Sequence, residues 1–423
     1  MLIKRIFLYV FIFAGAVIFA YLGSNYFLKH VNTSLVYYDS GKTLTIGTHA
    51  AKATSLPLLA DAKVRNVILF IGDGMGLSQI TAARINLLGP NGRFYLDHMP
   101  VTGLVTTHAV DDLITDSAAA GTALASGVKT TNGSVGVDAN GKSHPTILEA
   151  ARDAGLSTGL VTTTNLADAT PAVFAAHVRS RGMKEDIVLQ LLRARVNVLF
   201  GEGEYFYPQT DPRSARKDGE NPLALAKELG YAIIEKKSDL AGTEADFLLG
   251  LFEDLTTDRM KPALQSAKNP PSLAELTAKA LEILSRNEKG FFLMVEAEGV
   301  DMGSHANRVD YFIHHLQNFD EAVKAGLDFA LRDQHTLVLV TADHETGGLN
   351  IIGGSQADKQ FELVWATDRH TGQPVPLFAF GPHAMRFTGF KDNTEIPKIV
   401  AELMELDNFS KSFSSTEIEI PQK

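Results

Sequence analysis

A serine lies in the run Ile114-Thr115-Asp116-Ser117-Ala118-Ala119-Ala120-Gly121-Thr122, between an acid and a stretch of small residues. Alanine and glycine shield neither its hydroxyl nor the neighbouring backbone amides, so Ser117 reads as an exposed nucleophile. A serine hydroxyl is unreactive at neutral pH until a base, a lowered pKa or a metal activates it. The 423 residues contain no cysteine, so a metal would have to be held by histidine and carboxylates.

Such residues recur at suggestive spacings. In Gly72-Asp73-Gly74-Met75-Gly76 the flanking glycines allow a sharp turn and leave the Asp73 carboxylate open on both oxygens; a tight turn with a helix-capping acid is the plainer reading. In the segment Glu296 to His305, a helical second half would put Asp301 and His305 on one face, four residues apart, a natural pair of zinc ligands. Glu296 would then face a neighbouring site. The alternative is a polar loop with a capping Asp and a surface His. Adjacent Asp343 and His344 ordinarily diverge, but at a strand-to-loop bend both can turn onto one ion, and the glycines at 347 and 348 argue for room near the backbone. His370 stands alone before an apolar run, where a histidine is more often structural. Arg181, just before Gly182 and downstream of Asp168-Ala169-Thr170-Pro171, could place its planar fork on two phosphate oxygens.

Positioning these groups requires strands that deliver them to one edge. Continuous apolar runs at 66–73, 159–163, 198–201, 291–295, 336–340 and 375–380 predict strands buried on both faces. Helical patterns alternate with them: Thr146 to Ala154, Met183 to Ala194, a helix opened by Asn221-Pro222 and closed by Gly230, and one capped by Ser272 with Glu275. The alternation predicts an α/β fold with a large, mostly parallel central sheet and helices on both faces, and ligands gather at the carboxyl ends of such strands. Residues 203–272 break the rhythm and suggest an inserted subregion within a catalytic domain spanning 64–407. Residues 23–63 read as a stalk or peripheral hairpin, and the Ser-rich 408–423 as a frayed tail.

Charge excludes one class of partner. With 39 basic and 49 acidic residues the net charge is -10, so dedicated nucleic-acid binding is not expected. An anionic substrate would need a local positive site, which bound metal can supply. Residues 1–22 carry Lys4 and Arg5 ahead of an apolar run from Ile6 to Leu22, the pattern of a signal peptide or of a short membrane anchor. Ile18-Phe19-Ala20 is poorly shaped for cleavage, so both readings stay open; either way the protein is exported, periplasmic or extracellular. Glycosylation-like triplets begin at Asn32, Asn132 and Asn408 and matter only in a eukaryotic source.

In order, spacing and flanking sequence, Asp73 to His383 resembles the alkaline phosphatases. The run around Ser117 fits that family's signature at every position, and Glu296 to His305 is a second specific match. The resemblance implies a hydrolase of phosphate monoesters in which Ser117 becomes phosphorylated, with two Zn2+ and one Mg2+ per subunit. It makes Asp301, His305 and His370 ligands of a first zinc, and Asp73, Asp343 and His344 ligands of a second. It extends Asp73 to a magnesium completed by Thr170 and Glu296. Arg181 resembles the substrate-phosphate clamp, oriented by Asp116, with Asp168 nearby. It also implies a homodimer. Met302 is a departure, because family members often have Lys or His directly after the first-zinc aspartate, and its absence alters the surroundings of the magnesium.

Monoester hydrolysis is accelerated by enzymes by up to roughly 10²¹-fold. A lone general base supplies only about 10² to 10⁴, which favours paired metals. A phosphodiesterase or sulfatase on the same fold is the neighbouring alternative. A non-catalytic, metal-stabilised binding protein is the distant one, since neither nucleophile nor ligand set is broken.

Overall fold

The structure is a computed structural model that describes residues 42–47, 55–255 and 269–410. The expectations for residues 1–22, for most of the tail and for part of 23–63 lie outside the described residues. Within them, no helix is long and apolar enough to cross a membrane.

Ten strands form one sheet: β1 (Asn66–Gly72), β2 (Val101–Thr106), β3 (Ser157–Asn165), β4 (Val198–Glu202), β5 (Ala232–Ile234), β6 (Leu248–Leu251), β7 (Phe291–Ala297), β8 (Thr336–Thr341), β9 (Val375–Phe380) and β10 (Gly389–Asp392). Their order across the sheet is β10-β2-β9-β8-β1-β7-β3-β4-β6-β5. Only β9 runs antiparallel to its neighbours β2 and β8; every other pairing is parallel. The mostly parallel α/β expectation therefore holds. Every residue of β1, β7, β8 and β9 is buried, as continuous apolar strands covered on both faces must be.

Several helices start where their sequence says they should. Thr146 and Glu149 close a reciprocal capping box on Ile147–Asp153, and Ser272 and Glu275 close another on Leu273–Leu284. Asn221 caps Pro222–Glu228. Three further helices matter for the site: α1 (Ser117–Ser126), α2 (Gly299–His305) and α3 (Val309–Asp333). Helix α1 is buried along its whole length, which explains its alanine-rich composition. Gly299 lets α2 start against α3, because a Cβ there would come within 2.1 Å of the His315 ring.

Four strands have no counterpart in the apolar runs. Strand β2 is an alternating segment, and β5, β6 and β10 have only three or four residues each. Strands β5 and β6 belong to the segment that broke the rhythm, and both extend the central sheet at one edge. Within 23–63, Lys42–Thr45 pairs antiparallel with Gln360–Val364, which in turn pairs with Asn350–Ser355, giving a small peripheral sheet. The frayed-tail expectation is corrected at its start: Asp407–Ser410 is a helical turn and Phe409 is fully buried, because its ring completes the apolar core.

Candidate active site

The topology accounts for the convergence of the predicted residues. Asp73 follows β1, Glu296 lies near the end of β7, Thr170 follows β3 and Asp343-His344 follow β8, so all four groups meet at the carboxyl edge of the parallel strands. His370 precedes β9. Because β9 runs the other way, its entry point lies at that same edge. A two-residue ribbon then fixes His370, pairing Thr346 with His370 and Glu345 with Thr371. This ribbon lays the His370 ring on that of His344, 3.5 Å between centroids and 22° from parallel.

Two groups of ligating atoms lie on either side of this histidine stack. Asp301 Oδ2 is 3.2 Å from His305 Nε2, Asp301 Oδ1 is 3.7 Å from His370 Nε2, and the two Nε2 atoms are 3.0 Å apart. His305 Nδ1 faces the Asp368 carbonyl at 2.6 Å and His370 Nδ1 faces the Thr115 carbonyl at 2.8 Å. A carbonyl only accepts, so both Nδ1 atoms carry protons and both Nε2 atoms direct lone pairs at one point. Something positive must lie between them, a proton or a metal cation. The Asp301 hydrogen bond lifts His305 to about 9. Burial opposes the charge on Asp301, yet His305, His344 and His370 hold its carboxyl well below the usual range.

The second group is Asp73, Asp343 and His344, all buried. His344 Nε2 is 3.2 Å from Asp343 Oδ2, 3.5 Å from Asp73 Oδ1 and 3.3 Å from Ser117 Oγ. Asp343 Oδ1 accepts from the N–H groups of Gly74 and His344, which turns both its own side chain and that of His344 inward. Gly74 adopts a left-handed φ of 68°, and a Cβ there would sit 2.8 Å from Asp301 Oδ1, so the glycine beside Asp73 is required by both conformation and space.

A third group shares Asp73 with Glu296 and Glu298. Thr170 Oγ1 donates to Asp73 Oδ2 at 3.2 Å, and Thr162 Oγ1 donates to Glu296 Oε2 at 2.5 Å. Burial, then repulsion from Asp343, pushes Asp73 well up. Burial also carries Asp343 to about 7, with Asp301 adding repulsion, and Glu296 to about 8 against the hydrogen bond from Thr162. Asp73 Oδ1, Asp343 Oδ2 and Glu296 Oε1 are buried without a hydrogen-bond partner. An unmatched buried acceptor costs about 1–3 kcal/mol, more when charged. Asp343 Oδ2 and Asp73 Oδ1 lie 3.2 and 3.5 Å from His344 Nε2 without a hydrogen bond, and Glu296 Oε1 lacks a partner as well, a pattern that bound cations would satisfy.

Ser117 opens α1 and is buried, at 4% exposure, rather than exposed as its small neighbours suggested; Asp116 caps the helix, its Oδ1 accepting from the Ala119 N–H at 2.9 Å. Asp116 Oδ2 accepts from the Gly133 N–H and from Arg181 Nη1 at 3.2 Å, while Arg181 Nη2 donates to Asp168 Oδ1 at 2.8 Å. Burial works against the guanidinium charge, but Asp168, then Asp116 and Asp73, hold it firmly protonated. The candidate catalytic and metal-binding residues named from the sequence thus lie together in one region of the structure.

Others had no distinguishing signal. Glu345 accepts from Gln79, Thr371 and the N–H groups of Gly348 and Leu349, locking the His370 ribbon. Asn132, the residue of a glycosylation-like triplet, accepts from the Asp116 N–H at 2.8 Å and donates to the Ile114 carbonyl at 2.9 Å, so its amide clasps the nucleophile loop. Lys184 Nζ stands 3.5 Å from Asp168 Oδ2. A cation therefore does reach Asp168, from a different helix than the one carrying Met302.

A buried serine on a helix N-terminus, beside three clusters of carboxylates and imidazoles and an arginine fork, defines a metal-dependent hydrolase on a mostly parallel α/β sheet. The family model described as alkaline phosphatase matches residues 64–358 and 352–406. The alkaline phosphatase of Escherichia coli (strain K12) is 38% identical over 403 residues, covering 80% of this chain and 85% of that protein. The solved alkaline phosphatase from the Antarctic bacterium TAB5 superposes with a TM-score of 0.72 at 30% identity, covering 82% of this chain and 99% of the other. A variant of that enzyme with Mg bound in its M3 site gives 0.70 at 29% identity, with the same coverage. The chain belongs to the alkaline phosphatase family, the metal-dependent hydrolases of phosphate monoesters.

Proposed function

We propose that this enzyme hydrolyses monoesters through a phosphorylated Ser117, with two Zn2+ and one Mg2+ held by the three clusters. Asp301, His305 and His370 would hold the first zinc. Asp73, Asp343 and His344 would hold the second, and Asp73, Glu296 and Thr170 the magnesium. The TAB5 variant with Mg bound in its M3 site supports the presence of a magnesium, and the orphaned Glu296 oxygen supports its place in this cluster. When bound, paired divalent ions lower the pKa of a hydroxyl nucleophile and neutralise charge on entering and leaving oxygens.

The chain's own groups do the rest. Arg181, preset by Asp116 and Asp168, offers a planar fork to two phosphoryl oxygens. The first-turn N–H groups of α1 present positive dipole to the same phosphoryl group. Ser117 Oγ attacks phosphorus, forming the Oγ–P bond; the ester P–O bond breaks and the alcohol leaves with a proton. Water then attacks the phosphoserine, the Oγ–P bond breaks, inorganic phosphate departs and Ser117 regains its proton. The observation that carries this reading is the 3.3 Å separation of Ser117 Oγ from His344 Nε2, within the second metal cluster.

The test is Ser117→Ala. Monoester turnover should fall by several orders of magnitude while zinc content stays at the wild-type level, and a phosphorylated Ser117 peptide should be trapped from wild type at low pH. Wild-type turnover in the variant would overturn the reading. Export is supported by Lys4, Arg5 and the apolar run to Leu22, and a homodimer by family membership; light scattering of the purified protein tests the latter.

A further inference from the structure

We propose that Glu298 supplies a third carboxylate to the cation shared by Asp73 and Glu296, making this an all-oxygen, triply anionic site selective for a hard divalent ion. The inference rests on the metal-dependent reading above and adds a ligand that the sequence motif did not mark.

Glu298 stands between the end of β7 and the start of α2 and would ordinarily read as a helix-capping acid. It does not act as one: its side chain makes no capping hydrogen bond. Its backbone N–H instead donates to Thr163 Oγ1 at 3.3 Å, anchoring the main chain to the end of β3. One oxygen each from Asp73, Glu296 and Glu298 fall within 4.8 Å of one another. Among the described residues no lysine or arginine forms an ion pair with any of the three, Arg181 and Lys184 being engaged by Asp116 and Asp168. The second, independent observation is an orphan: Glu296 Oε1 is fully buried and has no hydrogen-bond partner. Three carboxylates this close stay ionised together only around a cation. The donors are carboxylates with the Thr170 hydroxyl close by, and an oxygen-only set suits Mg2+ or Mn2+ over Zn2+.

The probe is Mn2+, read by its electron paramagnetic resonance signal in zinc-loaded, magnesium-stripped full-length protein without substrate. Glu298→Gln should weaken Mn2+ binding by about 10–100-fold while zinc content is unchanged. Glu298→Asp keeps the charge but withdraws the oxygens by one methylene, and it should weaken binding less. Wild-type Mn2+ affinity in either folded variant would overturn the proposal. Monoester turnover of the wild-type enzyme is a separate measurement, so a failure of the phosphatase mechanism and a failure of this ligand assignment give different results.

Discussion

Arg181 is gripped from two sides before any substrate arrives, by Asp116 at 3.2 Å and Asp168 at 2.8 Å. Presetting the fork removes the entropy of aligning a long side chain, so its contribution should be concentrated on doubly charged phosphoryl groups. Arg181→Ala should lower kcat/KM for a monoester by about 10²-fold and lower it much less for a diester analogue. Equal losses on both would remove the clamp role. The ligand types were legible in the sequence because acids and histidines between apolar runs and glycines have few other uses. Glu345, Asn132 and Lys184 were not, since their roles are set by contacts such as Lys184 with Asp168, 16 residues apart, and Glu345 with Gln79, 266 residues apart.

Elements carry the pH response of the scaffold. His177 Nδ1 faces the Gly136 carbonyl at 2.6 Å while Nε2 faces the Glu149 carboxylate at 3.1 Å, so both ring nitrogens must donate and the ring is an imidazolium. Burial opposes that charge, but the Glu149 hydrogen bond raises the His177 pKa above its ordinary value, and Glu149 is lowered in return. A raised histidine stabilises the fold fully below about 6.5, and the contribution is lost as pH climbs through the raised value. The pair joins the helix Ile147–Asp153 to the segment bridged at Val135–Val178, from which Arg181 extends. Glu149→Gln should cost about 1 kcal/mol at pH 6 and little at pH 9, measured by thermal melting; an equal loss at both would refute the imidazolium. The interior strands β1, β7, β8 and β9 were readable because burial on both faces leaves an uninterrupted apolar run. Strand β2 alternates, and β5, β6 and β10 are too short to leave a pattern, so only pairing reveals them.

At the scale of the whole molecule, folding gathers carboxylates that repel one another unless cations intervene. Burial lifts Asp343 to about 7 and Glu296 to about 8. Acids with raised values favour the fold below their ordinary range and withdraw that support as pH rises through the raised values. Chelated protein should therefore lose melting temperature steadily between about pH 4 and pH 8, whereas metal-loaded protein should not. An ion at one hundred times its Kd adds about 2.7 kcal/mol per site. Identical melting curves with and without chelator across that window would mean that the clusters hold no structural ions.

The small peripheral sheet lies in the excursion that leaves the site after His344 and returns at His370, and its outer strand is Lys42–Thr45. Among the described residues the chain thus joins that excursion at Lys42–Thr45 before it enters the ten-stranded core at Asn66. A pull on Lys42 would be borne along the pairing with Gln360–Val364, close in sequence to His370. The strand Lys42–Thr45 and the ribbon that holds His370 share one strut.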